Sequence, residues 1–270
     1  MPLPRRVADL NQPLAVAAAI EQLRPDAVIN CAGWTAVDDA ESASTECDAV
    51  NALAVGEIAK ACNSINATLV QVSTDYVFGA DLNRSTPFSE TDLPRPLNVY
   101  GTSKLAGEEA ASRAKKHLII RTSGLYAASD HGPVRGRNFA DTMLCLAADR
   151  RLVKIVNDQH CTPSFVPHVA DGIFDLLRNQ ANGLFHVVNS GSTTWHGFAQ
   201  ELFRVAGVEI TTQGISTDEY PTAAPRPQFS VLSTHKFVAS TGHKLPHWRT
   251  GIAAYVKSME PHLLRMERTV

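Results

Sequence analysis

Helix-forming segments alternate with short apolar runs along this chain, and that alternation restricts the fold more than any other sequence feature. The alanine-rich segment Leu14–Leu23 precedes the apolar run Ala27–Gly33. Glu46–Ala61, with apolar residues at helical spacing, precedes the run Thr68–Ser73. Parallel strands are joined by crossover helices and buried on both faces, so they are apolar along their length. The sequence therefore predicts the α/β fold class, with a doubly wound parallel sheet.

The alternation continues and then loosens towards the end of the chain. We predict further strands at His117–Tyr126 and Leu184–Gly191, and further helices at Tyr100–Lys116, at Phe139–Ala148, from about Thr194, and at Trp248–Leu264. From about Asn157 the pattern weakens, and Gln213–Phe229 combines several prolines with no clear period. This predicts a main domain over residues 1–156, to which 166–192 return, and a smaller lobe over 157–165 and 193–270.

Composition places the chain among ordinary globular proteins. Its 270 residues include 25 Lys and Arg against 27 Asp and Glu, and 44% are hydrophobic. This charge balance argues against a nucleic-acid partner, and no apolar run is long enough for a membrane helix. The 5 cysteines form no CxxC pair, so neither a disulfide framework nor a zinc site is indicated. We expect a reducing, cytoplasmic location and predict no metal ligands.

Tyr100 and Lys104 form the first candidate pair for chemistry. They are four residues apart at the start of a predicted helix, and so they lie on one face of it. A tyrosine hydroxyl titrates near ~10, and a neighbouring ammonium group lowers that pKa by stabilising the phenolate. The pair suits proton transfer, although a Tyr and a Lys at this spacing also arise by chance.

Two loops that follow predicted strands are the other candidates. Ser73 and Thr74 lie where a buried strand ends, and Gly33 lies just past the preceding strand. In open parallel sheets the ligand crevice lies at the carboxyl ends of the strands, which suits hydroxyl groups and a closely approachable backbone. The alternatives are that the hydroxyls satisfy turn backbone groups and that the glycine is an ordinary loop residue.

With several further blocks, these residues resemble the extended short-chain dehydrogenase/reductase family, and within it reductases of nucleotide-sugars. The blocks follow in order over nearly the whole chain: RPDAVINCAGWTAVDDAES, VSTDYVFGA, PLNVYGTSKLAGEE, IIRTSGLY, NFADTML, NDQHCTPSF, TTWHGFA and RPQFSVLST. The resemblance implies a Rossmann-like dinucleotide-binding domain and a small C-terminal lobe for the nucleotide-sugar. It also implies reduction of a 4-keto group by NADPH or NADH, and it leaves room for a homodimer.

The resemblance assigns roles to particular residues. It implies that Thr74 hydrogen-bonds the keto oxygen, that Tyr100 protonates it as hydride arrives, and that Lys104 lowers the Tyr100 pKa and holds the nicotinamide ribose. The other implied cofactor contacts are Asp9, Leu10, Cys31, Ala32, Gly33, Thr35, Asn51 and Ser73. The other implied substrate contacts are Thr35, Val37, Asn138 and Arg226. Arg226 would meet a diphosphate through its planar fork, and a plain surface arginine is the alternative.

The sequence departs from the family at its beginning. A dinucleotide site of this kind opens with a strand, a glycine-rich turn and a helix whose N-terminus receives the pyrophosphate. This sequence begins at MPLPRRVADLN, which resembles the family's short third strand, and none of its 16 glycines forms that turn. We therefore expect a Rossmann-like domain without its first strand, turn, helix and second strand. We also expect an unpaired edge strand at Ala27–Cys31 and weak or no NAD(P)H binding.

Three positions inside the matching blocks also differ. Gly124 stands where the family usually has Trp, which predicts the loss of a ring that packs on the sugar, and Cys161 and Ser164 replace Gly and Thr. Two further functions are left open. One is reduction of another nucleotide-sugar, and the other is a non-catalytic, reductase-like subunit that binds a partner enzyme.

Overall fold

The computed structural model describes residues 1–129 and 136–266. Its strands are β1 (Ala27–Asn30), β2 (Thr68–Thr74), β3 (His117–Thr122), β4 (Leu125–Tyr126), β5 (Leu152–Val156), β6 (His160–Cys161), β7 (Ser164–Phe165), β8 (Gly183–His186), β9 (Thr193–Thr194) and β10 (Thr211–Ile215). Its helices are α1 (Pro13–Leu23), α2 (Val37–Ala40), α3 (Ser44–Asp48), α4 (Ala54–Ile65), α5 (Val99–Ala111), α6 (Phe139–Asp149), α7 (Val166–Arg178), α8 (Trp195–Ala206), α9 (His235–Thr241) and α10 (Trp248–Met266). A π-helical turn (Ala49–Leu53) joins α3 to α4, and 3-10 turns follow β2 (Asp75–Val77) and β10 (Thr217–Glu219). No helix in these two ranges is long and apolar enough to cross a membrane.

Four strands form the central sheet, in the order β1-β2-β3-β8, and all of its pairs are parallel. The register places Asn30 beside Gln71 and Thr74 beside Thr122, so the carboxyl ends of β2 and β3 lie side by side. Strand β1 lies at one edge of the described sheet, as the sequence predicts. These pairings confirm the predicted α/β class and the parallel sheet.

Apolar side chains alternate across the sheet and pack against helices on both of its faces. Leu69 of β2 and Ile119 of β3 belong to a core that includes residues of α1, α4 and α5. Val70 and Ile120, their neighbours along the chain, belong to a second core with residues of α7 and α9. The sheet is therefore doubly wound, as predicted.

A third core lies in the later part of the chain. Strands β5 and β10 pair in parallel, and α6, α8 and α10 contribute Met143, Phe198 and Tyr255 to a cluster around Val153. This core is separate from the two cores of the central sheet, although α6 and β5 precede residue 157. The lobe boundaries at 157–165 and 193–270 stay a prediction, and residues 267–270 lie outside the described part of the chain.

The structure differs from the sequence-based expectations in several places: the strand predicted over Leu184–Gly191 ends at His186, and the helix predicted over Tyr100–Lys116 ends at Ala111. The helix predicted over Glu46–Ala61 contains the π-helical turn between α3 and α4. The strand predicted over His117–Tyr126 stops at Thr122, and Gly124 then adopts a φ of 52°, which no strand continues through. The sequence also fails to predict β10, because its mostly polar residues TTQGI form a strand only by pairing with β5.

Helix α5 packs closely enough against two turns to require glycine at two positions. A Cβ at Gly107 would overlap the carbonyl oxygen of Asn51 in the π-helical turn. A Cβ at Gly101 would overlap the carbonyl oxygen of Tyr76 in the turn after β2. The backbone of α5 therefore lies directly against both turns, which places the helix over the ends of β1 and β2.

We predict opposite stability changes for two glycine substitutions. Gly107→Ala should lower the free energy of unfolding by about 1–3 kcal/mol, because the new methyl group overpacks the contact with Asn51. Gly56→Ala is the matched control: a Cβ there meets nothing within 4 Å, and alanine is the better helix former by about 1 kcal/mol. Urea unfolding measures both changes. An unchanged free energy of unfolding in Gly107→Ala would contradict this account of α5.

Candidate active site

A cleft of about 230 Å³ lies at the carboxyl ends of the central strands. Its lining combines the end of β2, the start of α5 and segments from the later part of the chain. The lining residues are Val37, Thr74, Asp75, Tyr76, Tyr100, Gly124, Gln159, His160, Cys161, Trp195, Pro227 and Ser230. Three residues predicted from the sequence, Val37, Thr74 and Tyr100, are therefore brought together in one cleft.

The start of α5 places Tyr100 at this cleft. Asn98 caps the helix by accepting a hydrogen bond from the Gly101 backbone N–H at 2.7 Å. The Asn98 amide also donates to the carbonyl oxygen of Pro225 at 2.9 Å, which ties the helix start to the loop across the cleft. The rings of Tyr100 and Tyr76 make an edge-to-face contact, with their centroids 5.9 Å apart.

Burial raises the pKa of Tyr100 to about 12, and the negative charges of Asp75 and Cys47 act in the same direction. Interaction with the Thr74 hydroxyl opposes this rise. The causes of this pKa shift do not include Lys104, whose ammonium group donates to a backbone carbonyl oxygen, so the expectation that Lys104 lowers the Tyr100 pKa stays a prediction. Tyr100 is therefore fully protonated at neutral pH, which suits a proton donor.

Lys104 lies one helical turn beyond Tyr100 and is only 7% exposed. Its Nζ donates a hydrogen bond to the carbonyl oxygen of Val72 in β2 at 2.6 Å. Burial lowers the pKa of Lys104 to about 8, and the nearby carboxylate of Glu108 opposes this shift. The side chain is thus a fixed cation at neutral pH, held beside the end of β2.

Asp75 is a buried carboxyl group that lies beside Thr74 and that the sequence-based reasoning missed. The Thr74 hydroxyl donates to its Oδ1 at 3.3 Å, while the hydroxyls of Ser123 and Ser230 donate to its Oδ2 at 2.8 Å and 2.6 Å. Burial raises the pKa of Asp75 to about 6, and these hydrogen bonds partly offset the rise. The one available signal was its position directly after Thr74 in the block VSTDYVFGA.

Ser73, predicted to contact the cofactor, instead belongs to a buried ion-pair network. Its hydroxyl donates to Oε1 of Glu108 at 2.5 Å. Arg121 of β3 binds the same carboxylate through two hydrogen bonds of 2.9 Å and 2.7 Å. Glu108 is on α5, so the network fastens that helix to β2 and β3.

Asn51 is likewise occupied by protein groups. Its Oδ1 accepts the Trp34 backbone N–H at 2.8 Å, and its Nδ2 donates to Ser103 Oγ at 2.9 Å. A Cβ at Gly33 would lie 2.9 Å from Asn51 Oδ1 and 3.7 Å from Lys104 Nζ, so bare backbone lies next to that cation. Asn51 thus fixes the loop after β1 relative to α5, and direct cofactor contacts by Asn51 and Ser73 stay predictions.

The remaining predicted cofactor residues are spread along the start of the chain. Cys31, Ala32 and Thr35 are exposed on the loop after β1. Asp9 accepts hydrogen bonds from Arg5 and from the Asn11 backbone. Leu10 is buried in the core beside α1, so its side chain faces the protein interior. The loop after β1 is close to Lys104, and no described contact joins Asp9 or Leu10 to the cleft lining.

Two predicted substrate residues have protein partners in the structure. Arg226 donates to Asp38 Oδ2 and to the carbonyl oxygen of Ala224, each at 2.7 Å, so it is not a free surface arginine. Asn138 caps α6 by accepting the Asp141 N–H at 2.9 Å, and it donates to the carbonyl oxygen of Ala127 at 3.1 Å. The Arg226 pair joins the first turn of α2 to the 221–229 segment beside the cleft.

A parallel, doubly wound sheet with a Thr, a Tyr and a Lys at the carboxyl ends of its strands is typical of Rossmann-like short-chain dehydrogenases/reductases. A family model described as the RmlD substrate binding domain matches residues 1–260. The chain belongs to this family, which confirms the resemblance seen in the sequence.

Curated relatives and solved structures agree with this assignment. The dTDP-4-dehydrorhamnose reductase of Shigella flexneri is 42% identical over 256 residues, which cover 90% of this chain and 83% of that protein. The enzyme of the same name from Salmonella typhimurium is 41% identical over 263 residues, covering 93% and 85% of the two chains. The crystal structure of dTDP-4-dehydrorhamnose reductase from Bacillus anthracis in complex with NADP is 32% identical, has a TM-score of 0.90, and covers 96% of this chain and 89% of that one.

The buried network predicts a large loss of stability when one charge is removed. Arg121→Met leaves the Glu108 carboxylate buried without its partner, and we expect a cost of about 3–5 kcal/mol in the free energy of unfolding. The control is Arg178→Met, which removes an exposed pair with Asp175 and should cost less than about 1 kcal/mol. Equal losses in the two variants, measured by urea unfolding, would argue against the network as the anchor of α5.

Proposed function

We propose that this chain catalyses the NAD(P)H-dependent reduction of the 4-keto group of dTDP-4-dehydro-L-rhamnose, giving dTDP-L-rhamnose. The observation that carries the proposal is that Thr74 and Tyr100 line one cleft while Lys104 lies one helical turn away. The substrate is a nucleotide-sugar, and the same cleft receives residues of the later part of the chain. Cys31, Cys47, Cys62 and Cys161 form no disulfide bond, which suits the reducing cytoplasm that we propose as its location.

The described residues fit the nicotinamide half of the cofactor. Bare backbone at Gly33 lies beside the Lys104 ammonium group, an arrangement that suits a ribose with its two hydroxyls. The loop residues Cys31, Ala32 and Thr35 would line the same side, with Tyr100 nearby. When bound, NADPH or NADH supplies the hydride.

The protein's own contribution is to hold the keto group and deliver a proton to its oxygen. The Thr74 hydroxyl would donate a hydrogen bond to that oxygen and so polarise the carbonyl. Tyr100 does not transfer its proton to the oxygen of a neutral ketone, because its pKa is raised to about 12. Once negative charge develops, the oxygen becomes an alkoxide, which is a stronger base than a phenolate and takes the Tyr100 proton. The Lys104 cation then stabilises the phenolate that remains.

The direct test is turnover of the nucleotide-sugar. With NADPH or NADH at a concentration high enough to offset weak cofactor binding, we expect its consumption with dTDP-4-dehydro-L-rhamnose, and a product that carries one deuterium at C4 when the transferred hydride is deuterated. If the chain consumes cofactor only with another 4-keto nucleotide-sugar, the proposed reaction type stands and the proposed substrate is wrong. No turnover with any of them, from a folded protein, would refute the proposed function.

We expect graded losses from substitutions at the three proposed catalytic residues. Tyr100→Phe should lower turnover by about 100- to 10,000-fold, the range for loss of a positioned general acid. Lys104→Ala should do nearly as much damage, whereas Thr74→Ala should cost about 10- to 100-fold, because one hydrogen bond is lost. The three effects should not add, since the residues serve one proton transfer. Wild-type turnover by a folded Tyr100→Phe protein would exclude this mechanism.

The Arg226–Asp38 pair predicts opposite changes in affinity for dTDP. Arg226→Gln should weaken dTDP binding about 10-fold or more, if the guanidinium group leaves Asp38 to bind the diphosphate. Asp38→Asn keeps an oxygen for the Ala224 N–H and removes the competing charge, so it should strengthen binding. Titration calorimetry with dTDP measures both. Unchanged affinity in Arg226→Gln would show that this arginine only joins α2 to the 221–229 segment.

A further inference from the structure

We propose that Asp75 is a positioning residue of this site, whose protonation decides whether the Thr74 hydroxyl donates to Asp75 or to the substrate. The proposal rests on the proposed function, because it assigns the Thr74 hydrogen bond to the keto oxygen. It adds a residue that the sequence-based assignment of the site did not include.

The two oxygens of Asp75 have different surroundings. Oδ2 accepts two short hydrogen bonds, from Ser123 Oγ at 2.8 Å and from Ser230 Oγ at 2.6 Å. Oδ1 has one side-chain partner, the Thr74 hydroxyl, at 3.3 Å, which is long for a bond between two oxygens. The serines fix the carboxyl group from β3 and from the later part of the chain, so Oδ1 remains the atom that a proton would occupy.

The Thr74 hydroxyl has one hydrogen and two lone pairs, and this limits what it can do. One lone pair accepts the backbone N–H of Tyr76 at 3.1 Å. When Asp75 is a carboxylate, the Thr74 hydrogen points to Oδ1 and is not available to a keto oxygen. When Oδ1 carries a proton taken from water, that O–H donates to the second lone pair of Thr74. The Thr74 hydrogen is then free to donate into the cleft.

Asp75 titrates in a pH range in which the ionisable groups that interact with its charge do not themselves titrate. Burial raises the Asp75 pKa to about 6. Tyr76, Tyr100 and Cys161 interact with its charge, and burial raises the pKa of each, so all three stay neutral at neutral pH. The nearest cations on neighbouring elements are Lys104, with its pKa lowered to about 8, and Arg226, which interacts with Tyr76.

His160 is the remaining ionisable side chain of the cleft lining. It is exposed on β6 and lies in the same cleft as Asp75. The pH profile of His160→Gln therefore serves as the control that separates the two groups.

The first experiment is the pH dependence of kcat/KM between pH 5 and 8. In the wild type, kcat/KM should fall about 3- to 10-fold as the pH rises through about 6. The Asp75 carboxylate then accepts the hydrogen bond that the Thr74 hydroxyl would otherwise donate to the keto oxygen. Asp75→Asn should lose this step, since its amide N–H donates to Thr74 at every pH, whereas Asp75→Ala should lower kcat/KM at every pH. His160→Gln should keep the step. A step that persists in Asp75→Asn, or that disappears in His160→Gln, overturns the proposal.

The second experiment does not depend on turnover. Carbon-13 NMR of the Asp75 carboxyl group should give a titration midpoint near 6 in the wild type. The midpoint should be higher in Thr74→Val, because the carboxylate loses a donor, and it should move less in Thr102→Val, whose hydroxyl donates to the Asn98 carbonyl oxygen instead. An unchanged midpoint in Thr74→Val overturns the proposal. The expected shift in a protein that reduces no nucleotide-sugar would refute the proposed function and leave the hydrogen bond between Thr74 and Asp75 established.

Discussion

The buried ion pair between Glu108 and Arg121 is the interaction on which the site depends. It joins α5 to β3, and through the Ser73 hydroxyl it also joins α5 to β2. Tyr100 and Lys104 project from the same helix, two turns and one turn before Glu108 respectively. Removing two charges from water is costly, so the pair is evidence of a fixed position rather than of large net stability. Its main consequence is that α5 holds one orientation on the sheet.

That anchor also shapes the electrostatics of the site. Arg121 neutralises Glu108 with two hydrogen bonds, so the carboxylate does not draw Lys104 into an ion pair of its own. Lys104 instead donates to the Val72 carbonyl oxygen at the end of β2. Burial then sets three distinct pKa values, about 6 for Asp75, about 8 for Lys104 and about 12 for Tyr100. Near pH 7 the site therefore holds a carboxylate, a cation and a neutral phenol, and the phenol is in the protonation state that a reduction needs from its acid.

The sequence predicts those parts of the molecule that carry local signals. The strands at Ala27–Asn30 and Thr68–Thr74 are short apolar runs, and the Tyr100 and Lys104 spacing places both residues on one helical face. The bond from Asn51 to Ser103 and the bond from Ser73 to Glu108 are not predictable in this way, because both partners lie on α5 and are distant along the chain. The raised Tyr100 pKa has the same origin: residue identity predicts a helpful cation, but the degree of burial depends on the tertiary packing.

The aromatic wall of the cleft shows how packing compensates for a local departure from the family. The glycine at position 124 predicts a cleft without the usual tryptophan ring. In the structure, the Trp195 side chain from the start of α8 reaches this place, and its Cη2 lies 3.1 Å from where a Gly124 Cβ would be. Gly124 also has a φ of 52°, a conformation that bulky residues rarely adopt. A tryptophan at 124 would therefore need both a different backbone and a displaced Trp195, which is held against Phe139 with ring centroids 4.6 Å apart. In this chain, the Trp195 ring beside Gly124 therefore supplies an aromatic surface to the cleft lining.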